Sequence, residues 1–363
     1  MLIRSFSLFL AVLATPVMAK TVVVGNCRPF LQSYLTVTQA IESVPADSTI
    51  LVCPGDYPEQ IVIRQPLTLK GVKDGNAANP RITVPSGGLS KAIGLENGVV
   101  MFSQILVEDT DTGQVHISDI AVDGGGAGST LGVVDWFSGV CFHNASGTLA
   151  GVATAHQSGN GYGFGIFIDE FGSSMKTISI RRSTVRDFDA DGIRSNASTA
   201  TLNADIRNNS VTLGTPPTAY TSGAAISIDG IGNITGNSLV DRARSPIGIG
   251  IGALSKMNIV GNTIEGFVIG LWPLGDSNVI KGNKVVATDV GIVISGSANL
   301  VEQNSFMNIP DSAVSFNCTG TGNSVIHNVI NDAAFGVGAF SGSNTIAPNT
   351  YSNVRTIVGP SCS

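Results

Sequence analysis

The chain has 363 residues, of which 43% are hydrophobic and 13% charged, with a formal net charge of −6. A mildly acidic chain with no Lys/Arg block excludes nucleic acid and an anionic membrane surface as expected partners. Glycine is abundant, at 44 residues, and aromatic content is only 6%. That composition suits many short strands joined by tight turns better than helices.

Residues 1–19 read as a secretory signal. Arg4 gives a positive start, residues 8–13 are apolar, and Val17-Met18-Ala19 is a small-residue cleavage site near Ala19/Lys20. The mature chain, residues 20–363, is therefore expected to be secreted or periplasmic. No later apolar run has membrane-spanning length. Export permits disulfides. Cys27 and Cys53 flank one compact N-terminal segment and are paired on that ground, Cys318 with Cys362 would tie down the C-terminal end, and Cys141 is left over.

Residues 20–60 form an N-terminal cap. Thr36-Val-Thr-Gln39 reads as a capping box, and Val37, Ala40, Ile41 and Val44 make one apolar helix face. A short helix there would cover bare strand edges. Residues 48–63 follow as two strands around a Pro-Gly turn.

From there the sequence repeats. An aliphatic residue, an Asn and a second apolar residue recur with Asn at 237, 262, 283, 304, 328 and 349, spaced by 25, 21, 21, 24 and 21 residues. Moving backwards, the slot holds Asn209, Ser183, Val152 and Ile120. A second signature precedes each slot: Gly165-Ile-Phe-Ile, Gly192-Ile-Arg-Ser, Ala225-Ile-Ser-Ile, Gly248-Ile-Gly-Ile, Gly270-Leu-Trp-Pro, Gly291-Ile-Val-Ile. Its period of two says strand. Strands this short cannot fold alone, but stacked on their equivalents they enclose a continuous apolar core. The expected fold is all-β, a single parallel β-helix of about eleven coils. Asn tolerates left-handed backbone and, repeated at strand spacing, can pair amide to amide in a ladder.

Val37-Thr-Gln-Ala-Ile41, Ile50-Leu-Val-Cys-Pro-Gly-Asp-Tyr-Pro-Glu59 and Leu67-Thr-Leu-Lys-Gly71 resemble the opening of right-handed parallel β-helix proteins of the pectate-lyase-like and pectin-methylesterase-like kind. The later Gly-Ile-x-Ile and Gly-Asn-x-Ile units resemble the generic repeat of that fold. The resemblance implies a right-handed solenoid and a carbohydrate-active protein: a polysaccharide lyase, a glycoside hydrolase or a pectin-esterase-type enzyme. The Asp pair with Gln and Arg of pectin methylesterases is not found here, nor is the Asp-Pro-His of mannuronan epimerases.

In Gly-Ile-x-Ile the third residue points outward. That row reads Cys141, Phe167, Arg194, Ser227, Gly250, Trp272, Val293, Ser315, Gly338, and the row two residues on reads His143, Asp169, Asn196, Asp229, Gly252, Leu274, Ser295, Asn317, Phe340. The candidate catalytic groups are Asp169, Arg194, Asp229 and His143. Phe167, Asn196 and Trp272 are the candidate substrate contacts, since a flat ring covers a sugar face and Arg forks to a carboxylate. Two coils should separate Asp169 from Asp229 by about 9–10 Å, near the upper end of the carboxylate spacing of inverting glycosidases.

No metal site is expected. Asp187, Asp189 and Asp191 would suit Ca2+, but without EF-hand spacing they read better as a solvated loop salted by Arg186 and Arg194. No cofactor is called for. The expected partner is an acidic polysaccharide, bound or processed by a monomer along the sheet face. The alternatives are a non-catalytic adhesion-like rod and a periplasmic accessory protein, the latter disfavoured by sparse His and missing Met clusters.

Overall fold

The computed structural model describes residues 18–359, apart from 74, 76–77, 96–97, 111–112, 133, 199–200, 215–222, 246–247, 255, 319 and 339–342. Most of the signal segment, Phe340 and Cys362 lie outside the described residues. Short β-branched and aliphatic runs separated by turn residues form strands that stack in parallel, coil upon coil. Among the described residues the strands fall into sheets of 14 and 22 strands. The smaller sheet is face A, represented by Ser146–Ala150, Lys176–Arg181 and Leu202–Arg207. The larger bends into two faces. Face B contains Ala153–Gln157, Thr184–Phe188 and Ser210–Leu213, and face C contains Gly163–Glu170, Ile193–Ala197 and Ala224–Ile228.

Register is strict. On face A, Ile180 sits over Ile206, Ile234, Ile259, Ile280 and Val301 in turn. All six side chains are fully buried in one continuous apolar core. A one-residue slip would turn every such side chain to solvent, so burial itself fixes the register. The glycine of Gly-Ile-x-Ile has a steric reason. A Cβ at Gly192, Gly270 or Gly291 would come within 2.6, 2.6 or 2.3 Å of the carbonyl oxygen of the next coil.

The asparagine column forms as expected. Asn209 donates through Nδ2 to Oδ1 of Asn237 at 3.0 Å, and the chain of amides continues to Asn262, Asn283, Asn304, Asn328 and Asn349 at 2.9–3.0 Å. Each Oδ1 also accepts the backbone N–H of the preceding Asn, as in Asn262 N to Asn283 Oδ1 at 2.9 Å. Ser183 N donates to Asn209 and Val152 N to Ser183, so the slot runs on into the earlier coils. A second column, which the sequence reading did not find, joins Asn278, Asn299, Asn323 and Asn344 at 3.0–3.1 Å ahead of face A.

At the N-terminal end, helix α1 spans Val37–Ser43 and buries Val37, Ala40 and Ile41. Thr36 caps it, accepting from Gln39 N at 3.1 Å. The Glu59 carboxylate meets the helix start as well, accepting from Val37 N and Thr38 N at 2.8 and 2.9 Å. Cys27 and Cys53 form a disulfide. Cys318 is also disulfide-bonded; Cys362, the partner expected for it, is outside the described residues. Cys141 is a free, buried thiol. No described helix is long and apolar enough to cross a membrane.

Candidate functional site

Face C carries the expected outward rows, with one correction. Ser227 pairs with Gly252, which pairs with Trp272. The residue in that row is therefore Gly252 and not Gly250, and the second row runs from Asp229 to Leu254 and not Gly252. In the run Gly248-Ile-Gly-Ile-Gly252 the reading started one glycine too early. Gly250 is the glycine whose Cβ would strike the next coil, 2.4 Å from Gly270 O.

The second row is longer than expected. Glu108 lies beside His143, His143 beside Asp169, and Asp169 beside Asn196. Arg64 pairs with Glu108 at one end. Three side chains form one bonded unit. His143 Nδ1 lies 2.7 Å from Asp169 Oδ2, and Asn196 Nδ2 donates to Asp169 Oδ1 at 3.1 Å. A carboxylate only accepts, so Nδ1 carries the hydrogen and Nε2 is the accepting nitrogen. Asn144, held at φ 48°, presents Nδ2 to that nitrogen at 3.2 Å. The His143 side chain is 20% exposed and that of Asp169 only 1%. The Asp169 bond raises the His143 pKa above its usual value, against the opposing effect of burial.

This overturns the reading of Asp169 as an acid facing a sugar. Its carboxylate is buried and both oxygens are taken, so it orients His143 instead. Phe167 is also corrected. It points out of the cylinder but is fully buried, in a second apolar cluster with Ile93, Leu95, Met101, Leu106, Cys141, Phe164 and Ala190. Its ring offers no face to solvent.

Arg194 lies beside Asn196 on the same strand but turns to Asp191, with Nη1 3.0 Å from Oδ2. Its side chain is 35% exposed, and its buried Nε has no partner. Asp191 is itself buried and accepts from Ala224 N at 2.6 Å; burial raises its pKa, with Arg194 opposing. Asp229 stands just past the end of Ala224–Ile228, anchored by its N–H on Ser195 Oγ at 2.6 Å. Burial lifts its pKa to about 6 despite the nearby Arg194 charge. Trp272 stands further along face C, half-buried, donating from Nε1 to Ser295 Oγ at 3.0 Å. The structure thus brings His143, Asp169 and Asn196 into contact, sets Arg194 and Asp229 beside them, and leaves Trp272 apart.

Glu108, Asn144 and Glu170 were missed, and Asp191, expected in a solvated loop salted by Arg186 and Arg194, does pair with Arg194 but is buried. Glu170 follows Asp169 and is fully buried; it accepts from Ala145 N at 3.0 Å, and burial pushes its pKa up to about 8. Glu108 sits in a strand, Val100–Glu108, without the glycine signature. A second charged cluster on face B was also missed. Arg81 forks onto Asp56 with both bonds at 2.8 Å and reaches Asp123 at 3.5 Å. Asp123 binds His156 Nδ1 at 2.9 Å, and His156 Nε2 lies 3.6 Å from Asp187, which pairs with Arg186. Carboxylates alternate with Arg81 and His156 from coil to coil and each group answers its neighbour, a stitching role. The proposed calcium carboxylates do not converge. Asp187 belongs to this network, Asp189 accepts from Gly159 N and Gly161 N, and Asp191 holds Arg194. Among the described residues no group of three metal-ligating side chains comes together.

No family model matches the sequence, and no curated protein does either. Solved structures do. The A-module of the Azotobacter vinelandii mannuronan C-5 epimerase matches with a TM-score of 0.60 at 12% identity, over 90% of this chain and 94% of that one. The fold is a right-handed parallel β-helix. A lacto-N-biosidase of Eubacterium ramulus matches at 0.55 and 10% identity, over 93% of this chain and 68% of its own. A tailspike protein of an E. coli bacteriophage, in complex with a pentasaccharide, matches at 0.56 and 13%, over 86% and 62%. At these identities the likeness concerns the fold.

Proposed function

We propose that this is an exported protein that binds and processes a polysaccharide along face C, with His143 as the proton-transferring group. The observation that carries the reading is the His143–Asp169–Asn196 unit, an imidazole held in one tautomer by a buried carboxylate, with its accepting nitrogen met by Asn144 Nδ2 and the side chain partly exposed. Such a carboxylate–imidazole pair is a working general base. The fold of an epimerase, a lacto-N-biosidase and an oligosaccharide-bound tailspike supports the carbohydrate class by analogy alone. Export is supported by the Cys27–Cys53 disulfide and by the leader read in residues 1–19.

For a uronate-containing chain the groups divide the work as follows. The half-exposed Arg194 guanidinium faces the sugar carboxylate and acidifies the adjacent carbon. His143 Nε2 takes the proton from that carbon. In an elimination the electron pair forms the carbon–carbon double bond, the glycosidic C–O bond breaks, and the imidazolium formed at His143 returns its proton to the departing oxygen. Asp169 touches no sugar; it keeps His143 in register.

The test incubates the purified mature protein with pectin, polygalacturonate and alginate, following unsaturated-product absorbance, reducing ends and methanol. Turnover abolished by His143→Gln is the expected result. Binding without turnover would replace the enzyme by a carbohydrate-binding rod, and silence on every glycan would remove the reading.

A further inference from the structure

At the other end of the His143 strand stands an aromatic group that no part of the proposed chemistry uses. The strand Trp136–His143 has eight residues, so the backbone of Trp136 lies at most about 23 Å from that of His143 at 3.3 Å per residue. Trp136 and Tyr162 are both partly exposed, their rings near-parallel at 13° with centroids 6.5 Å apart. Beneath them Phe164 and Phe167, both buried, brace the indole at 5.1 and 5.6 Å.

The backbone that carries the rings is tied down. Phe137 N donates to Tyr162 O at 3.0 Å, and Tyr162 N to Asn160 Oδ1 at 3.0 Å. Asn160 Nδ2 in turn donates to Asp135 O at 2.8 Å. Gly159 N and Gly161 N share Asp189 Oδ2 at 2.6 and 3.0 Å. No hydrogen bond among the described residues engages the Trp136 indole N–H or the Tyr162 hydroxyl. Two partly exposed rings braced from beneath, with open polar tips, are a surface organised before any ligand arrives, and little side-chain freedom is lost on binding.

We infer that Trp136 and Tyr162 form a distal sugar-binding subsite that stacks on the apolar face of an uncharged pyranose ring. The charge around it selects the class. Asp135, next to Trp136 in the chain, is a carboxylate, which accepts from sugar hydroxyls and repels a uronate. The inference rests on the polysaccharide reading above and adds to it a position and a chemical class. The ligand presents uncharged residues here, several ring lengths from the bond that His143 addresses.

The chain has two tryptophans, so Trp272→Phe leaves Trp136 as the sole indole emitter. That variant is titrated with xylohexaose, mannohexaose, cellohexaose and chitohexaose, and with hexagalacturonate. The expected result is a saturable Trp136 response to at least one uncharged oligosaccharide, weakened about tenfold by Tyr162→Ala and untouched by His143→Gln. Circular dichroism establishes that each variant is folded, and Tyr162→Phe separates loss of the hydroxyl from loss of the ring. A response to hexagalacturonate alone overturns the uncharged class. Glycan turnover that needs His143 while Trp136 stays silent overturns the subsite and leaves the proposed function standing. Silence in both measurements ends both.

Discussion

The two halves of the solenoid solve the same stacking problem differently. In the early coils the inward turn position holds Ile120, Val152 and Ser183; in the later ones it holds Asn209 through Asn349, with a second amide column alongside. The outer surfaces divide the same way. Face C of the early coils carries Glu108, His143, Asp169, Asn196 and Arg194, and the later part of the row of Arg194 carries Ser227, Gly252, Trp272, Val293, Ser315 and Gly338, none of them ionisable. Where one residue type repeats, its neighbours above and below satisfy it and nothing is left over. Where the types differ from coil to coil, specific pairs form, and groups such as Arg194 Nε remain without a partner. Repetition marks the scaffold, and variety marks the place to look for chemistry.

That contrast can be broken by substitution. His143→Gln should lower turnover about a hundred- to ten-thousand-fold while moving the urea unfolding free energy by less than about 1 kcal/mol. Asn283→Ala should do the opposite. It strips the acceptor from Asn262 N and Nδ2 and the donor from Ile259 O. Leaving those buried groups unpaired should cost about 3 kcal/mol in urea unfolding, with turnover of the folded protein unchanged. An Asn283 variant as stable as the parent would show the column to be ornament.

Acidity gives a finer test. Because Nε2 must be unprotonated to accept, activity should fall as pH drops through the raised His143 pKa, and Asp169→Asn should move that limb to lower pH. For stability the sign is set by the folded pKa lying above the unfolded one. The His143–Asp169 contribution is present in full below the unfolded value and is lost as pH climbs through the folded value. The smallest effect concerns Asp229, whose pKa rises from 3.8 to about 6 through burial. Its ionisation removes stability across that interval. Asp229→Asn should therefore gain at most about 1 kcal/mol at pH 7, given solvent screening of a partly exposed group, and nothing at pH 4.

The parts of the molecule that repeat were legible in the sequence. The Asn spacing and the period of two gave the solenoid, the amide column, and the adjacency of His143, Asp169 and Asn196. The slip from Gly252 to Gly250 came from alternating Gly and Ile, where two registers read alike and only the contact with Gly270 O separates them. Phe167 looked exposed because the outward direction was taken for solvent. Its cover comes from Ile93, Leu95 and Trp136, in segments that belong to no repeat. The same holds for Glu108, which meets Arg64 in coils that lack the glycine signature. A periodic argument sees what recurs, so it is blind to one-off tertiary packing.

The amide column also has a bearing on how such a chain can be altered. Its links span 21, 24, 25 or 28 residues of sequence, yet every amide contact closes at 2.9–3.0 Å. Surplus residues must leave the wall and bulge outward, so the perimeter is indifferent to loop length. A foreign segment grafted between two links would decorate the rim while the barrel beneath stayed the same width. New recognition could thus be acquired one coil at a time without reopening the interior.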